Sequence, residues 1–317
     1  MKLIVNLPAF NEAEKIGETI RRIPRSFPGI DEVRVQVIDD GSTDDTYRIA
    51  QEAGADFIYT NGVNRGLGKT FRHGVDRALE NDADIMVNMD PDGQFNPQDI
   101  PKLIAPILSH QYDMVSADRF GAKAAKNMPF IKNFLNQVAA RIIGWFMNVP
   151  IKDLTCGYRA YSRETLLRLN LLGDFTYTQE TIIDALGKNL KLTWVPVEVV
   201  YFAERKSKMT RSIWKYIQNS TRLILKAVRD VRPMKFFGIP GFILMMIAFG
   251  AFLYFLTFYF QDFKISPYRN ILFFAATAFM IGLQFVILAF IADMIKSNRR
   301  LSEDMLYLTK KNMYDRK

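Results

Sequence analysis

The chain has 317 residues, 49% of them apolar and 13% aromatic, and its 42 Lys and Arg against 33 Asp and Glu give a net charge of +9. That length accommodates two ordinary domains, and the apolar share is rich for a chain living wholly in water. Cys156 is the only cysteine and His73 and His110 are the only histidines, which excludes an internal disulfide and a His/Cys zinc site and fits a reducing compartment.

From Met1 to about Phe202, short apolar runs alternate with amphipathic stretches. The runs predict strands at Lys2 to Leu7, Val33 to Asp39, Asp56 to Thr60, Asp84 to Met89, Asp113 to Ala117 and Leu192 to Val200. A period of 3.6 predicts helices over Glu12 to Ile23, Asp44 to Ala53, Leu67 to Leu79, Gln98 to Leu108 and Thr178 to Leu186. Such alternation implies βαβ units, hence an α/β fold with a mainly parallel sheet and helices on both faces. Asn133 to Val149 reads as a longer apolar helix ending in Trp145, Phe146 and Met147, which suits either the core or a lipid-facing position. The histidines read as surface groups on helices, and Cys156 as a small packed residue with no basic partner to activate it.

The surplus of apolar residues is local. Phe236 to Phe260 and Ile271 to Ala292 carry no charge, and about 20 helical residues cross a bilayer core of roughly 30 Å. Ten Lys and Arg lie between Arg205 and Lys235 and seven more between Lys296 and Lys317, whereas the Gln261 to Asn270 loop has only Lys264 and Arg269. The positive-inside rule then places both flanks in the cytoplasm. The run after Lys2 is too short for a secretory signal. The expected layout is a cytoplasmic catalytic domain (1–204), a basic amphipathic juxtamembrane segment (205–235), two membrane helices (236–294, about 236–260 and 271–294) and a basic cytoplasmic tail (295–317). Lys208 to Val231, with Trp214 among basic residues, has the profile of an interfacial helix or of a surface helix packed on the domain. The positive charge therefore reads as membrane-surface contact, with no nucleic acid as partner, and apolar helix pairs of this kind also associate into homo-oligomers.

Three predicted strands end in acidic clusters: Asn11-Glu12, Asp39-Asp40, and Asp90-Pro-Asp92-Gly-Gln94. The carboxyl ends of strands in an open parallel sheet form the ligand crevice, and Asp90, Asp92 and Gln94 are oxygen donors suited to a hard divalent cation. Asp-rich turns also arise merely because Asp, Asn and Gly make turns, but three together favour a site. Gly62-Val-Asn-Arg-Gly-Leu-Gly-Lys-Thr70 looks like a phosphate-cradling loop with its glycine spacing wrong by one; Gly66 and Lys69 can still approach an anion, or simply form the turn before a helix.

These residues resemble the inverting family-2 glycosyltransferases, specifically the dolichol-phosphate mannose synthase and polyprenyl-phosphate glycosyltransferase branch. The matching text is Leu7-Pro-Ala-Phe-Asn-Glu12, Val37-Ile-Asp-Asp-Gly-Ser-Thr-Asp44, Asn64-Arg-Gly-Leu-Gly68, Asp90-Pro-Asp-Gly-Gln94 with Pro97, Asp118-Arg119, Asp153-Leu-Thr-Cys-Gly-Tyr-Arg159, and Glu204-Arg205 with Ser207-Lys208. The resemblance covers essentially the whole chain. It implies a GT-A nucleotide-binding fold with Pro8, Phe10, Glu12 and Asp39 around the donor's base and ribose. It also implies Mg²⁺ or Mn²⁺ on Asp92 and Gln94 of a DxD element with Asp90, and Arg119, Lys132, Arg205 and Lys208 against phosphates. Only Lys206 separates Arg205 from Ser207, where the family has a glycine-containing insert, and Phe10 replaces a common Tyr.

The expected activity is transfer of a hexose from a UDP- or GDP-sugar to a polyprenyl or dolichyl phosphate. A phosphate monoester with a second pKa near 6 is already largely dianionic at neutral pH and attacks without a strong base. Asp153 either orients acceptor or sugar, or caps the loop before Cys156. The rival readings are transfer to a lipid alcohol or polysaccharide, which needs a base such as Asp153, and a non-catalytic membrane scaffold with a vestigial nucleotide site.

Overall fold

A computed structural model of the protein describes residues 1–121, 130–171, 177–200, 221, 225, 228–266 and 268–315. It divides into two units, Met1–Ile224 with Met305–Lys317, and Leu225–Asp304.

The first unit is a seven-stranded sheet in the order β3-β2-β1-β4-β6-β5-β7. Its strands are β1 (Lys2–Ala9), β2 (Glu32–Asp39), β3 (Phe57–Thr60), β4 (Ile85–Asn88), β5 (Met114–Asp118), β6 (Arg159–Ser162) and β7 (Leu192–Pro196). The pairs β1 with β2, β1 with β4, β2 with β3 and β5 with β7 are parallel. β6 runs antiparallel to both its neighbours, so the sheet is mixed. Helices α1 (Ala13–Arg22), α2 (Thr46–Glu52), α3 (Leu67–Glu80), α4 (Ile100–Leu108), α5 (Phe130–Met147), α6 (Arg163–Arg168) and α7 (Tyr177–Gly187) connect the strands.

The apolar runs form strands because both faces of the sheet are covered, which leaves β1 and β4 buried almost throughout. The core joins Leu3, Val5 and Leu7 of β1 to Val35 and Val37 of β2, Val87 of β4, and Ile16 and Ile20 of α1. Each such side chain taken fully out of water contributes about 1.5–3 kcal/mol before entropy is counted.

β6 and α6 have no counterpart among the elements expected from the sequence. Tyr158-Arg-Ala-Tyr-Ser162 has no apolar run, yet Arg159 is fully buried. Its guanidinium is accommodated by Ser116 Oγ, Leu154 O, Thr178 O and Thr181 Oγ1. β7 stops at Pro196, short of the expected Val200, because the following residues turn to bond the Asp92 loop. His110 is exposed in a turn after α4 rather than on a helix, with φ 54°, and His73 is half-buried rather than a surface group.

In the second unit, a single π turn (Met234–Gly238) leads into α8 (Ile239–Asp262), and α9 starts at Arg269. Both helices are long and apolar enough to cross a membrane. They pack through glycine: a methyl on Gly241 would lie 2.9 Å from Gly282 O, and one on Gly282 would lie 2.8 Å from Gly241 O. Close backbone approach of this kind is how helices associate where water offers no hydrophobic drive.

The second apolar helix does not end near 294 with a separate tail over 295–317, as expected from the sequence: α9 continues to Tyr314. Its last turns belong to the first unit. Tyr307 Oη donates to Glu164 Oε2 (3.0 Å), Arg168 sits over the Tyr307 ring (4.3 Å), and Lys310 Nζ donates to Leu169 O (3.2 Å). The interfacial helix expected over Lys208 to Val231 lies largely outside the described residues.

Candidate functional site

Strand register builds the site. Ala9, Asp39 and Thr60 are level at the ends of β1, β2 and β3. Arg159 of β6 pairs with Asn88 on one side and Ser116 on the other, so β4 and β5 are level as well. Asp90 and Asp118 each stand two residues further along, and Arg119 follows Asp118. Four strand ends, β1, β2, β4 and β5, thus deliver acidic and basic groups to one edge, as expected of a crevice at the carboxyl ends of parallel strands.

On the β1 and β2 side, two turns are stitched together. Asn11 N donates to Ser42 Oγ (2.9 Å), Thr43 N to Asn11 Oδ1 (2.8 Å), Glu12 N to Thr46 Oγ1 (2.8 Å) and Ala13 N to Asp44 Oδ2 (3.2 Å). Asn11 holds φ 53°, a left-handed conformation that Asn tolerates well. Burial pushes the Asp44 carboxyl up, but the hydrogen bonds from Thr46 and Ala13 outweigh it, and the group lies below the ordinary aspartate range. Pro8 is buried within β1, while Phe10 and Glu12 stay half-exposed on the turn. Asp39 accepts from Ser42 N (3.1 Å) and Thr60 Oγ1 (3.3 Å).

Asp40 has a different task from Asp39. Its oxygens accept from Asn61 Nδ2 (2.7 Å), Arg65 N (2.9 Å) and Gly66 N (2.9 Å). Two backbone N–H groups of the glycine-rich loop are therefore given to Asp40, which fixes that loop at the mouth of α3. Gly66 takes φ 88°, and the Lys69 side chain, one turn on, is exposed. Gly41, with φ 73°, lets the loop pass where a methyl would lie 2.5 Å from the Val63 carbonyl carbon.

The Asp90 turn is held from three directions. Gln94 N donates to Asp92 Oδ1 (3.0 Å), Thr19 Oγ1 of α1 donates to Pro91 O (3.0 Å), and Val200 N donates to Gln94 O (3.1 Å). Gly93 at φ 77° permits the tight return of the chain. Asp90, Asp92 and Gln94 are all half-exposed and present only hard oxygen donors on their carboxylates and amide carbonyl. Among the described residues no three His, Cys, Asp or Glu side chains form a cation cage by themselves. Hard oxygen donors of this kind suit a divalent cation whose remaining ligands come from elsewhere.

Across the edge, Arg119 is clamped by Asp153. Its Nε donates to Oδ2 (2.6 Å), one terminal nitrogen to Oδ1 (2.9 Å), and the same nitrogen to Thr155 Oγ1 (2.6 Å). Asp153 is fully buried and also accepts from Thr155 N (3.1 Å) and Asn136 Nδ2 (3.3 Å). Its backbone carbonyl receives Trp194 Nε1 (2.9 Å). Burial pushes the carboxyl up, yet the Arg119 charge and these hydrogen bonds win, so Asp153 lies below the ordinary aspartate range. It is the ionised partner of Arg119. Cys156, fully buried next in the loop, is pushed up to about 12 by burial, as suits an inert packed thiol. Arg205, Lys208 and the Lys132 side chain lie outside the described residues.

The residues that fix this edge without announcing themselves in sequence are Thr19, Asn136 and Trp194. Thr155 stands inside a motif already singled out, whereas Asn136 gives no signal in a helix that otherwise reads as apolar.

Residues 4–168 match the model of glycosyl transferase family 2. The chain belongs to that family. An uncharacterised protein of Methanocaldococcus jannaschii is 34% identical over 67% of this chain and 87% of its own length. The dolichol-phosphate mannosyltransferase of Pyrococcus furiosus is 30% identical over 71% of this chain and 64% of its own. The polyprenol monophosphomannose synthase of Mycolicibacterium smegmatis is 27% identical over 67% and 82%. Relatives so named support the lipid-phosphate branch of the family. Among solved structures, glucosyl-3-phosphoglycerate synthase of Mycobacterium tuberculosis, crystallised with Mn²⁺, UDP-glucose and phosphoglyceric acid, superposes with a TM-score of 0.55 at 22% identity over 73% of this chain and 80% of that one. The fold is thus of GT-A type, and the protein is a glycosyltransferase.

Proposed function

We propose that this glycosyltransferase moves a hexose from a UDP- or GDP-sugar to a polyprenyl or dolichyl phosphate, with inversion, at the cytoplasmic face of a membrane. The observation that carries the reading is that β4 ends in Asp90-Pro-Asp-Gly-Gln94 while β5 ends, at the same edge, in an arginine oriented by a buried carboxylate. One end suits a cation on a diphosphate, the other a second phosphate.

The donor lies along the β1, β2 and glycine-loop side, with Pro8, Phe10, Glu12 and Asp39 around base and ribose and Asp40 holding the Gly66 to Lys69 turn. Asp92 and Gln94, with Asp90 beside them, hold Mg²⁺ or Mn²⁺, which when bound neutralises charge on the departing diphosphate. Arg119 contributes its positive charge to the acceptor phosphate, and Asp153, which takes one edge of the guanidinium, fixes its plane. Lys132, Arg205 and Lys208 add cationic charge around the two phosphates. A dianionic phosphate needs no proton removed, and Asp153, already paired with Arg119, is not offered as a base. This weighs against the hydroxyl-acceptor alternative.

Two apolar helices and relatives named for lipid-phosphate substrates support association with a membrane, where a polyprenyl phosphate carries its reactive group at the surface. In the proposed layout residues 1–204 and the C-terminus are cytoplasmic, and the apolar pair is also a surface for self-association.

The test is transfer of radiolabelled sugar to lipid phosphate, from UDP- and GDP-hexoses in turn, with Mn²⁺ or Mg²⁺ and with chelator. Product that appears only with lipid phosphate and metal supports the reading. Failure of every donor in folded protein, or transfer to the lipid alcohol alone, overturns it.

A further inference from the structure

The Asp90 carboxylate rests against a surface that donor binding does not account for. A methyl built on Gly157 would lie 2.8 Å from the Tyr177 hydroxyl and 3.3 and 3.5 Å from the two Asp90 carboxylate oxygens. Gly157 is not in the left-handed backbone region, so its glycine is required by space and not by torsion. Carboxylate and phenol together fill the volume a side chain would occupy.

Tyr177 is held rigidly. It is 1% exposed at the start of α7, and its ring stacks on Phe71 of α3 with centroids 4.0 Å apart and planes 7° from parallel. Its hydroxyl donates to Gly157 O (3.2 Å) and accepts from Asn88 Nδ2 (2.7 Å). Asn88, two residues before Asp90, is itself the end of a row of buried amides. Gln36 Nε2 donates to Asn6 Oδ1 (2.8 Å) and to Gly74 O (2.9 Å), and Asn6 Nδ2 donates to Asn88 Oδ1 (2.7 Å). The row crosses β2, β1 and β4 and finishes on the phenol beside Asp90. Gln36 Oε1, at the far end of the row, has no partner among the described residues, whereas the bonds of Asn6 and Asn88 hold the near end against the phenol in one arrangement.

We infer that Gly157, Tyr177 and Asn88 are positioning residues for Asp90: the glycine leaves the space into which the carboxylate fits, and the phenol, fixed by Asn88 and Phe71, is the wall that sets its direction. This rests on the reading of Asp90 as part of the cation and donor site. Partners behind a metal ligand typically matter by about 10–100-fold in metal affinity or activity when altered.

The test compares Gly157→Ala, Tyr177→Phe and the double variant. Readouts are Mn²⁺ affinity with UDP or GDP present, kcat, KM for lipid phosphate, and melting temperature. In G157A the methyl meets a wall that does not give, so Asp90 is displaced; Mn²⁺ affinity and kcat fall about 10-fold or more, with acceptor KM unchanged. Y177F removes the oxygen the methyl meets first, so G157A/Y177F regains several-fold in Mn²⁺ affinity over G157A although it melts lower for loss of the phenol's hydrogen bonds. A purely structural role would move activity and stability together. Wild-type Mn²⁺ affinity in G157A, or a double variant no better than G157A, overturns the inference. Should G157A not fold, Y177F alone decides: a several-fold loss of Mn²⁺ affinity at constant acceptor KM supports it, and no change overturns it. Asp90→Asn separates the two levels. If D90N leaves Mn²⁺ affinity and transfer intact, the site reading fails; if D90N abolishes both while G157A is silent, only the positioning role fails.

Discussion

Replacing Asp153 by Asn tests the clamp on Arg119 with a change of one atom. The carboxylate is fully buried and Arg119 is 6% exposed, joined by hydrogen bonds of 2.6 and 2.9 Å. Removing one partner of such a buried pair costs about 3–5 kcal/mol, because the remaining charge stays in a low-dielectric setting without its counter-charge. Asn keeps the shape and one acceptor, so we expect about 3 kcal/mol. At roughly 2–4 °C per kcal/mol for a domain of about 200 residues, the melting temperature falls on the order of 10 °C. Since the Arg119 fork loses its plane, transfer falls about 100-fold as well, the scale of one mispositioned charge-stabilising group.

The pH behaviour gives the refutation its edge. With its folded-state pKa held below the unfolded value of about 3.9, Asp153 contributes stability that is fully present above that pH and is lost as pH falls through the folded pKa. Wild-type protein therefore loses this contribution only below about pH 4, and D153N lacks that part of the acid transition. A base at position 153 predicts instead a transfer rate that titrates away on mild acidification, in wild type and not in D153N. That titration, or a D153N protein with unchanged melting temperature and rate, would refute the clamp.

Three further outcomes follow from other parts of the molecule. Asp92→Ala with Gln94→Ala removes two of the three oxygen donors on the Asp90 turn, and the nucleotide-induced thermal shift should lose its dependence on Mn²⁺; retention of that dependence counts against a cation there. His73 Nε2 accepts from Arg77 Nε (3.1 Å), which leaves Nδ1–H to donate to Asn61 Oδ1 (2.7 Å), and burial first, then Arg77, holds its pKa below the usual 6.5. The native state thus binds fewer protons than the unfolded chain below about pH 6.5, so stability declines with acid from there and His73→Gln should flatten that slope in melting curves; an unchanged slope rejects the assignment. Tyr307→Ala removes both the hydrogen bond to Glu164 and the Arg168 contact, a loss of about 1–2 kcal/mol, and should speed hydrogen exchange in α6; unaltered exchange would mean that the end of α9 does not dock there.

Much of the fold was legible because apolar period and turn chemistry agree over β1 to β4 and over α1 to α4, where both strands and helices bury one continuous face. What escaped was the polar interior. Arg159 reads as an exposed cation in any hydropathy argument, and its burial becomes intelligible only when Ser116 of β5 and Thr178 and Thr181 of α7 are brought around it. Removing β6 from the expected order also hides the antiparallel step that levels β4 with β5, and with it the reason Asp90 and Arg119 share an edge. α9 misleads in a different way: the apolar stretch ends near 294, but helical hydrogen bonding does not need apolar residues, and the polar last turns are held by Glu164, Arg168 and Leu169.

The site residues divide along the same line. Asp39, Asp92 and Arg119 stand out in short motifs because the proposed chemistry would need such side chains at strand ends. Asp40 sits beside Asp39 and Asp153 in a motif of its own, and sequence does not separate a carboxylate aimed at a ligand from one aimed at the protein. Burial and partners set Asp40 and Asp153 apart from the half-exposed Asp92: Asp40 spends its oxygens on Asn61, Arg65 and Gly66, and Asp153 spends its own on Arg119, Asn136 and Thr155. These two acidic residues of the motifs therefore shape the site from behind, and a substitution at Asp40 or Asp153 that keeps volume but removes charge is expected to disturb a loop or an arginine before it disturbs any ligand. The order of events is measurable, since exchange protection of the Gly62 to Gly68 loop should fall in Asp40→Asn even without nucleotide, whereas Asp92→Asn should leave it at the wild-type level.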